Sequence, residues 1–133
     1  METTKKVLII EVVEDEVSQQ KALSEKFTRE GFRVISAKDG EEGLKIALKE
    51  HPDIILLDIV MPKIDGLSFL KKLREENMWG KTVPVILLTN LSADNDTIIR
   101  VIAECEPAYY LVKADFTLDE VVEKVRERLA KTT

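Results

Sequence analysis

The stretch "VLIIEVVEDE", residues 7–16, decides how this chain is read, because it looks like a buried strand that ends twice. Four apolar residues lead to Glu11, and Val12 and Val13 then lead to Glu14, Asp15 and Glu16. A strand centred late in the stretch would carry Glu11 inside a two-sided sheet, at a cost of several kcal/mol if unpaired. Sliding a strand by an odd number of residues also exchanges its two faces. A longer loop after the strand costs little by comparison. The expectation is therefore a strand over residues 7–10, with Glu11 emerging at its end and extra residues before the first helix.

Outward from that stretch, apolar runs of strand length alternate with helical periodicity. Residues 17–30 form a helix candidate with Ala22, Leu23 and Phe27 inward and Gly31 as its stop. Residues 32–37 read as a strand and "KDG" (38–40) as its turn. Leu44, Ile46, Ala47 and Leu48 mark a second helix that ends before Pro52. "DIILLD" (53–58) is a continuous apolar run closed by Asp58, as expected of a strand buried on both faces. Leu67, Leu70 and Leu73 indicate a third helix, and "PVILLTN" (84–90) another buried strand. Ile98, Ile99, Val101 and Ile102 belong to a fourth helix, capped by Asp94, Asn95 and Asp96. "YYLVK" (109–113) is the fifth strand, and Thr117 with Glu120 forms a capping box opening a fifth helix.

Five strand–helix units predict an α/β fold, a doubly wound parallel sheet with helices on both faces. The 133 residues, without repeat or linker, are expected to form one domain, 1–133. The apolar fraction of 44% and the charged fraction of 34% fit a soluble globular protein. Net charge is −5, with no basic stripe, so direct nucleic-acid binding is not expected. A lone cysteine, Cys105, cannot form an internal disulfide, and no segment reaches membrane-span length, so the cytoplasm is the expected location.

In open parallel sheets, ligands sit at the carboxyl ends of the strands. Strand one ends in acids, strand three in Asp58, strand four in Thr89 and strand five in Lys113. Any one of these alone would be an ordinary cap or a solvated surface group. Four on successive strand ends point to chemistry. Clustered carboxylates recruit a hard cation, typically Mg²⁺. One carboxylate can act as nucleophile towards a phosphoryl group, while an amine and a hydroxyl grip its oxygens.

The segments "VEDE", "DIILLDIVMPKIDG", "PVILLTN" and "YYLVK" resemble, in order and spacing, those of response-regulator receiver domains, over about residues 5–130. The resemblance implies a flavodoxin-like five-stranded sheet of order 2-1-3-4-5 with five helices, and a phosphoacceptor rather than an enzyme. It implies that Asp58 accepts phosphate from a histidine kinase or phosphotransfer protein. Glu14 and Asp15 would hold Mg²⁺ with Asp58 and the Val60 carbonyl. Thr89 and Lys113 would contact the phosphoryl group, and Tyr110 would swing inward as Thr89 moves. Pro62 and Gly66 match the loop after the phosphoacceptor. The output would be a protein-binding surface on the fourth predicted helix, fifth strand and fifth predicted helix. The last helix ends close to residue 133, so no fused output domain is expected within this stretch, unless it was cut from a longer chain.

The departures from the family pattern are local. Ala114 follows Lys113 where proline is usual, and a trans bond is expected there. Glu106-Pro107 replaces a glycine stop, so Pro107 is expected to end the fourth helix. Asn90 narrows access, and Val60 and Leu91 supply no group to position water, so slow self-dephosphorylation is expected. His51 and Trp79 read as surface residues away from the site. In the opening stretch, counting from Lys5-Lys6 selects Glu11 as the first acid, whereas the family's spacing back from Gly31 selects Glu14-Asp15. A site containing Glu11 therefore stands as the alternative. So does a phosphorylation-independent binding module with an altered acidic site; an enzyme acting on a free metabolite is a more distant third.

Overall fold

The computed structural model describes residues 8–59, 65–90 and 96–131. In chain order the elements are β1 (Ile9–Val13), α1 (Val17–Arg29), β2 (Arg33–Ala37), α2 (Gly40–Glu50), β3 (Ile54–Leu57), α3 (Gly66–Glu76), α4 (Met78–Thr82), β4 (Val85–Thr89), α5 (Asp96–Cys105), β5 (Tyr109–Val112) and α6 (Leu118–Ala130). The strands are all parallel, in the order β2-β1-β3-β4-β5, as expected. A 3₁₀ turn, Lys113–Asp115, leads out of β5.

Each face of the sheet has its own core. On one, Val13, Ile55, Leu57 and Leu87 pack with Ala47 of α2 and Phe69, Leu70 and Leu73 of α3. On the other, Ile10, Val12, Leu56 and Leu88 pack with Leu23 and Phe27 of α1 and Val121, Val122 and Val125 of α6. This is the alternation of a pleated strand: neighbours along β1 serve opposite cores.

The placement of β1 corrects the expected strand over residues 7–10. The strand starts two residues later and ends three later, Glu11 lies in its middle, and only Asp15 and Glu16 stand between Glu14 and α1. No inserted loop separates strand from helix. Glu11 is flanked by Ile35 on β2 and Ile55 on β3. Burying Glu11 costs less than burying a charge because a carboxyl can enter the core as the neutral acid. Protonating an ordinary glutamate at pH 7 costs roughly 3 kcal/mol, comparable to leaving Val12 and Val13 unburied at about 1.5 kcal/mol or more each. Both valines are 1% exposed in this register.

Three smaller outcomes bear on the expectations. There are six α-helices among the described residues, not five: the extra one is α4, where the Asn77 side chain accepts from the Gly80 N–H at 2.7 Å. Its Trp79 stacks on His51, ring centroids 4.2 Å apart and the planes nearly parallel, so these two residues do pack together away from the strand ends. The left-handed stop after α5 survives without glycine. Glu106 itself adopts φ 46°, at about 1 kcal/mol, and its N–H donates to the Ile102 carbonyl at 3.0 Å. The capping box of α6 forms as expected: Thr117 Oγ1 accepts from Glu120 N, and Glu120 Oε1 accepts from Thr117 N.

Candidate functional site

Because all five strands run the same way, their C-terminal ends form one edge of the sheet. Glu14 leaves β1, Asp58 leaves β3, Thr89 closes β4 and Lys113 leaves β5. Backbone bonds fix these ends against one another: Glu14 N donates to the Ala37 carbonyl at 3.0 Å, and Asp58 N to the Val13 carbonyl at 3.1 Å. The four expected residues meet around a cavity of about 380 Å³, which Asp15, Glu16 and Asn90 also line.

Carboxylate oxygens of Glu14, Asp15 and Asp58 lie within 4.8 Å of one another. Glu14 and Asp58 are nearly buried, at 3% and 8% exposure, whereas Asp15 is exposed. Lys113 Nζ sits between the buried pair, donating to Glu14 Oε2 at 2.7 Å and to Asp58 Oδ2 at 3.2 Å. Burial raises the Glu14 carboxyl above its ordinary range; the hydrogen bond from Lys113 opposes this, and the charge of Asp58 adds to it. Burial alone would lower Lys113, but its bond to Glu14 and the charges of Asp58 and Glu14 outweigh that and hold the ammonium above its usual value. Three carboxyl groups thus face a single ammonium. The donor set is all oxygen, without His or Cys, so it fits a hard divalent cation such as Mg²⁺ rather than a soft metal.

Local sequence explains why these groups can converge. Gly66 opens α3 where its N–H donates to the Ile59 carbonyl at 2.8 Å. A Cβ there would stand 2.3 Å from the Asp58 carbonyl oxygen and 2.6 Å from Ile59 Cα. Only glycine lets α3 start this close to the backbone that carries Asp58. On the other side, Gln20 of α1 donates to the Glu14 carbonyl at 3.0 Å and the Ala37 carbonyl at 2.8 Å, tying the ends of β1 and β2. Gln19 accepts from Lys113 and donates to Glu16 Oε2 at 2.9 Å. Neither glutamine was singled out from sequence. The available signal was two adjacent amides in the first turn of a helix that directly follows an acidic run.

Thr89 is fully buried. Tyr110 is half-buried and packs against the core cluster that includes Leu87, its register partner on β4, which puts it on the face shared by Leu87 and Thr89. Val60, Pro62 and Leu91 lie outside the described residues. No cis peptide bond occurs among the described residues, so Lys113–Ala114 is trans as expected.

The alternative acid, Glu11, is not part of this group. It shares a face with Val13, opposite to Glu14, and is completely buried with neither carboxylate oxygen hydrogen-bonded. Desolvation, with a smaller push from the charge of Glu42, raises it to about 9. At neutral pH it is a carboxylic acid inside the core and cannot serve as a metal ligand at the edge.

Residues 10–126 match the family described as response regulator receiver domain. The chain is 36% identical over 132 residues to the probable transcriptional regulator ycf27 of Cyanophora paradoxa, covering 99% of this chain and 52% of that protein. It is 40% identical over 95 residues to the alkaline phosphatase synthesis transcriptional regulatory protein PhoP of Bacillus subtilis, covering 71% of this chain and 37% of that protein. The chain thus spans about half the length, or less, of these relatives. Among solved structures it is similar to the receiver domain of the Francisella response regulator 1452, with 30% identity, TM-score 0.81, and 95% of this chain and 99% of that one covered. The Thermotoga maritima response regulator TrrA, solved in complex with Mg(2+)-BeF, is 34% identical with TM-score 0.77, covering 91% of this chain and 98% of that one. No helix among the described residues is long and apolar enough to cross a membrane.

Proposed function

This chain belongs to the response regulator receiver domains, and on that premise we propose that Asp58 is the phosphoacceptor of a two-component system. A carboxylate oxygen of Asp58 attacks the phosphorus of a phosphohistidine on a kinase or phosphotransfer protein. The new P–O bond forms as the P–N bond breaks, and the imidazole leaves with the electron pair and takes up a proton. The observation that carries this reading is the Lys113 ammonium held between Asp58 and Glu14 within a cluster of three carboxylates.

Each residue has a role in that reaction. Lys113 is placed to follow charge from the Asp58 carboxylate onto the phosphoryl oxygens, as a preorganised donor. Glu14, Asp15 and Asp58 would hold Mg²⁺, which when bound supplies positive charge for the phosphoryl oxygens of a transfer with little covalent character. The Thr89 hydroxyl, at the end of β4, would donate to a phosphoryl oxygen. Its movement would draw Tyr110 inward and repack the α5–β5–α6 face, biasing a two-state equilibrium that a protein partner reads. The relatives are named as transcriptional regulators, so transcriptional control would be the output of the longer proteins, through segments this chain does not match. Residues 1–133 act in this reading as a single cytoplasmic receiver domain that does not itself touch nucleic acid.

The competing reading, a phosphorylation-independent binding module, rests on acids displaced from the site together with the Ala114 and Asn90 departures. Glu14, Asp15 and Asp58 in one cluster remove the first of these motives. Incubation with radiolabelled acetyl phosphate and Mg²⁺ is expected to label the protein, with labelling abolished by EDTA and by Asp58→Asn. Absence of label from both acetyl phosphate and a cognate kinase would overturn the proposal in favour of the binding module.

A further inference from the structure

An ammonium has three N–H donors, and Lys113 spends each on a different acceptor: Glu14 Oε2, Asp58 Oδ2 and Gln19 Oε1. The first two belong to groups that the proposed reaction claims for other purposes. Asp58 becomes the phosphorylated residue, and Glu14 turns its carboxylate to the cation. Gln19 is neutral, so it attracts a cation far less than the carboxylates do, and it takes no part in the transfer. Its amide nitrogen donates to Glu16 Oε2 at 2.9 Å, which fixes the amide's rotation and leaves Oε1 facing the ammonium.

The surroundings make this contact matter. Gln19 and Lys113 share the wall of a second cavity, about 320 Å³, whose other sides include Leu23, Leu88, Phe116 and Val121. Against such apolar walls a charge-assisted hydrogen bond is stronger than in water. Besides Gln19, an ammonium released by Glu14 and Asp58 would find one other side-chain acceptor lining that cavity, the Asn90 amide.

We infer that Gln19 is a positioning residue for Lys113, a neutral acceptor that keeps the ammonium at the site edge while Glu14 and Asp58 are taken up by the cation and the phosphoryl group. The inference rests on the phosphoacceptor reading above. It separates this chain's own α1 amide from the acids and the lysine that the reaction uses directly.

The test compares wild type with Gln19→Met, which keeps the length but loses the acceptor, and Gln19→Glu, which keeps an oxygen in place. In protein saturated with Mg²⁺, proton–nitrogen NMR of lysine ammonium groups, assigned with Lys113→Arg, should show a protected Lys113 signal in wild type and Gln19→Glu and its loss in Gln19→Met. With saturating Mg²⁺ and acetyl phosphate, labelling of Gln19→Met should slow at least about tenfold, the worth of one charge-assisted bond. Gln19→Glu should stay within about twofold of wild type on the same scale, and the urea midpoints should not change. No protected Lys113 signal in wild type, or an unchanged signal in Gln19→Met, overturns the inference. So does an equal slowing in both variants. If wild type takes no label at all, the phosphoacceptor reading has failed, and the ammonium signals still decide what Gln19 does.

Discussion

Glu11 and Glu14 lie three residues apart, one in the middle of β1 and the other just past its end, both essentially buried, and do opposite things. Glu14 leaves the strand end on the α1–α6 side, where Lys113 meets it at 2.7 Å and Asp15 and Asp58 stand close by. Glu11 points to the α2–α3 side, into packing that contains Val13, Ile55 and Phe69, with no hydrogen bond to either oxygen. Both carboxyls are raised by burial, yet only Glu14 has a cation that draws it back towards ionisation. Burial alone therefore does not make a site. What distinguishes the two is the parity of the strand, which sends odd and even positions to different faces, and the convergence of other strand ends on one of them.

The largest effect expected from breaking this comparison is at Glu11. Replacing it by leucine removes the need to protonate a carboxyl on folding, a gain of about 3 kcal/mol at pH 7. Urea unfolding should move to a higher midpoint with an unchanged slope, and labelling of Asp58 should be unaffected. Unchanged or lower stability would mean that Glu11 has a partner that the core supplies in solution.

On the Glu14 side, the support of Asp58 can be tested through Gly66. Alanine there meets the Asp58 carbonyl and Ile59 Cα well inside contact distance, an overpacking cost of about 2 kcal/mol. Gly66→Ala should lower the urea midpoint and slow phosphorylation. A variant with wild-type stability and rate would show that α3 can start elsewhere without disturbing the site.

The pH dependence, read per pH unit, is the smallest of these effects and the most diagnostic. Glu11 has an ordinary value of 4.5 when unfolded and about 9 when folded. Between those values the folded protein holds a proton that the unfolded chain has released. Stability therefore falls as pH rises through that window, by about 1.4 kcal/mol per unit for this one group, and is flat with respect to it below 4.5 and above 9. Glu30, Asp119 and Glu127, lowered by Lys26, Arg126 and Tyr109 contacts, act in the opposite sense but at pH values near or below the ordinary carboxylate range. Unfolding followed from pH 5.5 to 8 should show the slope in wild type. It should be much reduced in Glu11→Leu, and what remains is the share of Glu14, which is raised in the same sense. An identical slope in both would remove Glu11 as its source.

Most of the fold was legible because buried parallel strands announce themselves. "IILL" has no polar residue to place wrongly and "VILLT" only its closing Thr89, and the helices between them carry inward stripes. Asp58, Thr89 and Lys113 followed from strand ends. The opening stretch misled because a charged glutamate was weighed as a charged glutamate. A residue's ability to change protonation state is invisible in a one-letter string, and it decided the register of β1. The short helix α4 was missed because five residues carry no period, and its cap at Asn77 became informative only once the turn had formed. Gln19 and Gln20 could not be distinguished from solvated helix positions until Lys113, nearly a hundred residues away, came within reach.

The central claim is that the acids of the site are Glu14, Asp15 and Asp58 and that Glu11 is a neutral core residue. Calorimetric titration of Mg²⁺ into Glu14→Gln and Glu11→Gln tests it most directly. Glu14→Gln should weaken binding at least about tenfold, the loss of one charged oxygen ligand, while Glu11→Gln should bind within about twofold of wild type. The reverse pattern, with binding lost in Glu11→Gln and kept in Glu14→Gln, would contradict it.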